Sequence, residues 1–264
     1  MKKIMLLFAA VLLVVGATMA QSKDNQSDVS ISDGSDGNDV IVKQTLYGNE
    51  FNLSEVSIDD NSDDNDVTID QEGEDHESYV DINDNASDND VDVDQDGEEQ
   101  YSQIEITTDA GYNDVEIDQE GEGNESYVVI GGIANGNSVD VEQSGEDNLS
   151  EVGVGLVAFD NEVDVDQDGE DNISEVAVGL VAEGNEVNVK QDGERNNSLV
   201  VVGGIAGFND VDVDQDGKNH ESTIGIFEES SFNDVMVEQD GNYSTSDVEV
   251  SYGSDGNDIE VTQK

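Results

Sequence analysis

The sequence predicts an all-β fold: a β-solenoid of about ten 24-residue coils, each of two strands, stacked into two parallel sheets. Three observations predict it. The motif Asn-x-(Val/Ile)-x-(Val/Ile)-x-Gln occurs ten times, with its glutamine at Gln44, Gln71, Gln95, Gln119, Gln143, Gln167, Gln191, Gln215, Gln239 and Gln263. After a first interval of 27 residues the other eight intervals are all 24, the signature of a repeat architecture. Within each unit, apolar and polar residues alternate with period two, and clusters of Gly, Asn and Asp separate the alternating runs, as strands and turns require.

The elements follow in order along the 264 residues. Residues 1–20 combine Lys2 and Lys3, an apolar run from Ile4 to Val15 and small residues at Ala17 and Ala20, the layout of a secretory signal peptide cleaved before Gln21. The apolar run is too short for a secure membrane span, so no stable membrane insertion is expected. Residues 21–26 form a short polar segment, and residues 27–264 form the repeat domain, whose first strand holds Val29 and Ile31. A Gly follows two residues after most motif glutamines, from Gly73 to Gly241, and marks the turn. Thirteen residues after the motif Asn comes a Ser, from Ser78 to Ser246, which opens the second strand of the coil. At about 4.8 Å per coil, ten coils span roughly 50 Å.

Alternation assigns the faces. In the stretch NDVDVDQDG, present at residues 89–97 and again at 209–217, Asn89, Val91, Val93 and Gln95 share one face and Asp90, Asp92, Asp94 and Asp96 the other. The first set points inward. Val and Ile supply a narrow core, while Gln71, Gln95, Gln119, Gln143, Gln167, Gln191, Gln215, Gln239 and Gln263 form a structural ladder. Stacked Asn, Gln and Ser are expected to pass hydrogen bonds from coil to coil, because a buried amide is costly alone and satisfied in a ladder.

The string Gln-x-Gly-x-x-Asn at 119–124, 143–148, 167–172 and 191–196, in tandem alternating strands behind a signal peptide, resembles the curlin repeat of bacterial curli subunits. The resemblance covers about residues 27–264. It implies a secreted protein of strand-turn-strand units that polymerises with itself, and with related curlin subunits, into extracellular amyloid fibres of the cell surface or biofilm matrix. Curlin repeats carry a second internal Gln where this chain has Ile or Val, such as Ile130 and Val154.

Composition bounds the partners. With 66 acidic against 8 basic residues and a formal charge of −58, the chain has no counterions to release from nucleic acid, whereas cations fit it. Loss of residues 1–20 takes the charge to −60. The chain has no Cys, so neither disulfides nor thiolate metal sites contribute. Outward residues of the motif strand are nearly all acidic. Those of the Ser strand in the middle units are small or apolar, and Tyr127, Val129, Leu199 and Val201 mark a face suited to lateral packing of filaments.

Residues 164–175 match a calcium-loop pattern, with Asp164, Asp166, Asp168 and Glu175 at ligand positions. Those aspartates also belong to the period-two strand and no helices flank them, so calcium, if a ligand at all, is expected to bind weakly along the surface; no other cofactor is indicated. His76 and His220 replace the turn Asn of other units and read as tolerated turn variation. No nucleophile elbow, Ser-His-Asp set or singled-out acid pair argues for an enzyme. The last unit, NDIEVTQ at 257–263, carries the full motif, and no Pro blocks either edge, so end-to-end addition of another copy is expected. The alternative function is a monomeric secreted solenoid that binds calcium or a mineral or ice surface through its acidic face.

Overall fold

A computed structural model describes residues 25–48 and 51–264; the expected signal peptide lies outside the described residues. Ten coils follow one another, and each crosses the molecule twice. Its first pass is a strand of the serine sheet, running from Gln26–Ile31 in coil 1 to Thr245–Val250 in coil 10. Its second pass is a strand of the glutamine sheet, from Asp39–Leu46 in coil 1 to Asp258–Gln263 in coil 10. All pairings between named strands are parallel, and neighbours in each sheet come from successive coils. The first strand starts one residue earlier than the sequence suggests, at Gln26.

Register is the same throughout: Gln143 pairs with Gln167 and Ser150 with Ser174, each residue meeting its own counterpart one coil on. A one-residue slip would turn every Val and Ile out to water, so the apolar alternation opposes it. Two inward apolar residues on each long strand form the core, for example Val139 and Val141 opposite Val152 and Val154 in coils 5 and 6, and those of the outermost strands, Val29, Ile31, Ile259 and Val261, are partly buried. Ile130 and Val154, at the curlin Gln position, are among them.

Two kinds of turn close a coil. The tight turn follows the glutamine strand and uses one residue at positive φ, such as Asp147 (56°) or Asp171 (58°), before a buried Asn. The wide turn follows the serine strand and buries a small residue, Ala86, Ala110, Ala134, Ala158, Ala182 or Ala206, as a further inward column. Around coils 5 to 8 this turn is itself paired: Val181–Glu183 lies between the end of Leu149–Phe159 and Ile205–Gly207. That extra pairing extends the serine sheet to twelve strands against ten in the glutamine sheet.

The glycine after each glutamine answers to the coil above it. At Gly97 φ is +127°, and a Cβ there would stand 2.0 Å from the carbonyl oxygen of Gly121. Gly97→Ala is therefore expected to destabilise the protein by about 2–4 kcal/mol through contact with backbone that cannot retreat, together with left-handed strain. Urea unfolding of the variant measures it. A loss under about 0.5 kcal/mol would mean the coils are spaced more loosely than described.

Candidate functional site

Four inward columns of polar side chains run the length of the molecule, three of them built on amides and one on serine hydroxyls. In the glutamine ladder, Nε2 of each glutamine donates to Oε1 of the next, from Gln44 to Gln71 at 2.8 Å through to Gln239 to Gln263 at 2.9 Å. The same nitrogen also donates across the core to the serine strand of its own coil, as Gln167 does to the Leu149 carbonyl at 3.0 Å. Each described ladder amide thus ties two coils and two sheets together.

The motif asparagines form the second column with the opposite sense. Asn161 Nδ2 donates back to Asn137 Oδ1 at 2.9 Å, and Asn185 to Asn161 at 2.8 Å. Their remaining amide hydrogens reach the carbonyls of the wide turn, Asn137 to Ala158 and Asn161 to Ala182, both at 3.2 Å. The small buried residues of that turn allow this reach.

The third column occupies the tight turn, and nothing in the sequence distinguishes it from turn decoration. Asn124, Asn148, Asn172 and Asn196 are fully buried there, each Oδ1 accepting the backbone N–H one coil on. His76 and His220 belong to this column. Nδ1 of His76 accepts from the Gln100 N–H at 3.3 Å, while Nε2 lies 3.3 Å from the Glu72 carbonyl. An imidazole with its proton on Nε2 copies the amide, acceptor for acceptor and donor for donor. Burial lowers the His76 pKa, which keeps this neutral form. The two histidines lie in coils 3 and 9 and share no site.

The serines depart from the expectation of a hydroxyl ladder. Ser54, Ser78, Ser102, Ser126, Ser150, Ser174 and Ser198 are buried with no hydrogen-bond partner for Oγ, and Ser246 to Ser222 at 3.3 Å is the sole described link between neighbours in this column. Geometry gives the reason. An amide holds its oxygen and nitrogen roughly 2.3 Å apart, so one hydrogen bond of about 2.8 Å completes the coil spacing, whereas a single hydroxyl oxygen falls short of it.

Outward, the glutamine sheet presents columns of carboxylates in the same register. Asp140 stands between Glu116 and Asp164 in neighbouring strands, and its Oδ1 is buried without a partner. Burial, with Asp164 and Glu116 adding to it, pushes its pKa up to about 6. Burial is also the leading cause of raised values at Asp66, Asp92, Asp94, Asp114, Glu142, Asp164, Asp210 and Asp214. Neutral or basic residues interrupt the columns: Thr68, Asn188 and Met236 do so, and Lys190 sits 3.3 Å from Asp166.

The calcium-loop candidates are not brought together. Asp164, Asp166 and Asp168 lie on the strand Glu162–Glu170 of the glutamine sheet, whereas Glu175 lies on Ile173–Gly179 of the serine sheet, facing outward on the other side. Among the described residues no group of three or more His, Asp or Glu side chains is arranged to hold a metal ion.

Of the lateral-face residues, Val129 is exposed, whereas Tyr127, Leu199 and Val201 are half-buried. Tyr127 packs its ring on Tyr101 at 5.3 Å, and Tyr101 on Tyr79 at 5.7 Å, so this part of the face is partly spent on contacts within the chain. Leu156 and Leu180, exposed beside them, carry no strand alternation that would have singled them out.

Two expectations follow. Gln143→Leu strips Gln119 of its acceptor and Gln167 of its donor inside the core and is expected to cost about 2–4 kcal/mol, while Ser150→Ala removes an unpartnered hydroxyl and is expected to be neutral or stabilising. Paired urea titrations check the contrast, and equal losses would contradict the amide ladder. For pH, a carboxyl with a raised folded-state value stabilises the fold below its unfolded value and loses that contribution as pH rises through the folded one. Nine such carboxyls on this sheet act in this sense, against the opposing shifts of His76 and Glu194. Unfolding temperature should therefore rise from pH 7 to pH 5, and Asp140→Asn should raise it at pH 7 while flattening the profile. A fall on acidification would show that the columns are solvated like free carboxylates.

Residues 63–97, 113–145, 134–169 and 158–193 each match the curlin associated repeat. A comparison with curated proteins found no match.

Proposed function

We propose that the chain, whose residues 63–97 and 113–193 match the curlin associated repeat, is a curlin-family secreted structural subunit that joins end to end into amyloid fibres of the cell surface or biofilm matrix. The observation that carries this reading is the polarity of the ladders. Glutamine amides donate toward the C-terminal coil and asparagine amides toward the N-terminal coil. In the last described coil Gln263 therefore turns an N–H and Asn257 its Oδ1 away from the neighbouring coil, and in the first described coil Gln44 turns Oε1 and Asn38 an N–H away from theirs. Stacked head to tail in the existing register, the two ends match donor to acceptor in both columns. The outermost described strands are paired on one side only, which leaves backbone groups for the same contact. Such a contact is heterologous and does not close. Related curlin subunits with the same coil spacing would fit these ends equally.

Export fits the leader-like residues 1–20 and the extracellular setting of the curlin family. Among the described residues no helix is long and apolar enough to cross a membrane. Cations enter as the means by which like charges about 4.8 Å apart, each neighbouring pair costing on the order of 1 kcal/mol even in water, are tolerated in a fibre. Calcium is proposed as one such counterion, bound diffusely along the acid columns.

The deciding experiment is electron microscopy with thioflavin T fluorescence on residues 21–264 at low salt, at high salt and in millimolar calcium. Unbranched fluorescent fibres, more abundant with salt or calcium, are expected. Folded monomers under all three conditions would reject end-to-end assembly and turn attention to the acidic face as a binding surface.

A further inference from the structure

Three of the seven tyrosines meet on the outer face of the serine sheet. Tyr79, Tyr101 and Tyr127 come from coils 3, 4 and 5, on the strands Glu77–Asn83, Tyr101–Thr107 and Glu125–Asn135. Tyr79 and Tyr127 are third in their strands and Tyr101 is first, so the half-buried rings zigzag across two outward columns. Tyr101 and Tyr127 lie with ring centroids 5.3 Å apart and planes tilted by 37°, and Tyr79 and Tyr101 with 5.7 Å and 40°. Each phenol has its own acceptor. Tyr127 donates its O–H to the Glu125 carboxylate at 3.1 Å, Tyr79 to Glu77 at 3.0 Å, and Tyr101 to Gln103 Oε1 at 2.9 Å. Along its own column Tyr101 stands between Glu77 and Glu125. Burial, with these carboxylates adding to it, raises the Tyr101 phenol and pushes Tyr79 and Tyr127 up to about 12. Negative neighbours that hold the proton on a phenol also favour loss of an electron from its ring, provided that a base takes the proton as the electron leaves. Glu125 is placed to do so for Tyr127.

We propose that Tyr101 and Tyr127 form a site of oxidative cross-linking, where a one-electron oxidant, a haem peroxidase supplied with hydrogen peroxide, joins coils 4 and 5 through a dityrosine bond. Each phenol gives up one electron and one proton and becomes a neutral phenoxyl radical, Tyr127 passing its proton to Glu125 and Tyr101 passing its proton to water. The two radicals pair their electrons in a carbon–carbon bond between ring positions ortho to oxygen. Each ring then regains its hydroxyl as the ortho hydrogen moves to oxygen. Two hydrogens leave the protein, and one peroxide takes up the two electrons and two protons as it becomes two waters. Tyr79, on the other side of Tyr101, is the alternative partner at the longer distance.

The fold selects pairing within one molecule. Among the described residues no two of Tyr47, Tyr112, Tyr243 and Tyr252 are in ring contact, and all four are exposed. The charge of −58 keeps radicals on different copies apart. A bond between residues 101 and 127 closes a loop of about one coil in the unfolded chain and so opposes the opening of coils 4 and 5. It requires the folded coils and not fibre growth.

The test treats dilute folded protein at low salt with a haem peroxidase and hydrogen peroxide, and follows dityrosine fluorescence, migration on a denaturing gel and peptide masses. The expected product migrates as a monomer, is lighter by two hydrogens, and links the peptide holding Tyr101 to that holding Tyr127. It should also unfold about 5–10 °C above the untreated protein. Tyr101→Phe keeps the ring and its packing, so it should leave the unfolding temperature before oxidation unchanged and abolish the intramolecular fluorescence, whereas Tyr112→Phe should preserve it. Should Tyr101→Phe misfold, the peptide map of the parent protein decides. Dityrosine confined to intermolecular dimers, a map in which Tyr101 is linked to neither neighbour, or undiminished intramolecular signal in folded Tyr101→Phe overturns the proposal.

Discussion

The spacing between coils, about 4.8 Å as set by backbone hydrogen bonding between parallel strands, is the constraint on which the rest of this molecule depends. Every side chain meets a copy of itself at that distance or close to it. Groups that can bridge the spacing are satisfied by repetition. Primary amides bridge it, which is why glutamine and asparagine can fill a core that would reject them singly. Histidine enters the tight-turn column because its two ring nitrogens reproduce the amide's donor and acceptor. Serine does not bridge it, and its hydroxyls stay unpartnered. Glycine after the glutamine is the one residue that fits where backbones stack closest.

The same spacing turns the acidic face into stored repulsion. Carboxylates in register on the glutamine sheet cannot separate without breaking the ladder behind them; burial, with the neighbouring charges adding to it, makes Asp140 hold its proton more tightly, and Lys190 and Asn188 interrupt the columns. Stability, charge and assembly are coupled through one distance. A charge that keeps free chains apart in solution also opposes the stacking that a fibre needs, and protons or cations shift that balance.

The ends of the coil stack meet through groups other than the carboxylate columns. The ends carry directional hydrogen-bonding groups, with the glutamine and asparagine columns running in opposite senses, so a head-to-tail contact has a defined polarity and register.

Much of the architecture was legible in the order of residues. A 24-residue period, strict alternation and a Gly after each Gln determine parallel coils, the inward Gln, Val and Ile, and the outward acids, because period-two side chains leave each strand one choice of inner face. The resemblance of Gln-x-Gly-x-x-Asn to curlin repeats is matched over the middle coils. Tertiary structure alone decided the rest. Whether a turn Asn, a His or an Ala is buried depends on how the turn folds over the core edge, which local alternation does not encode. The calcium-like Asp164 and Glu175 are eleven residues apart in sequence yet face opposite sides, because a tight turn between them carries the chain to the other sheet. The senses of the two amide ladders follow from side-chain rotation within a closed coil, which the order of residues does not encode.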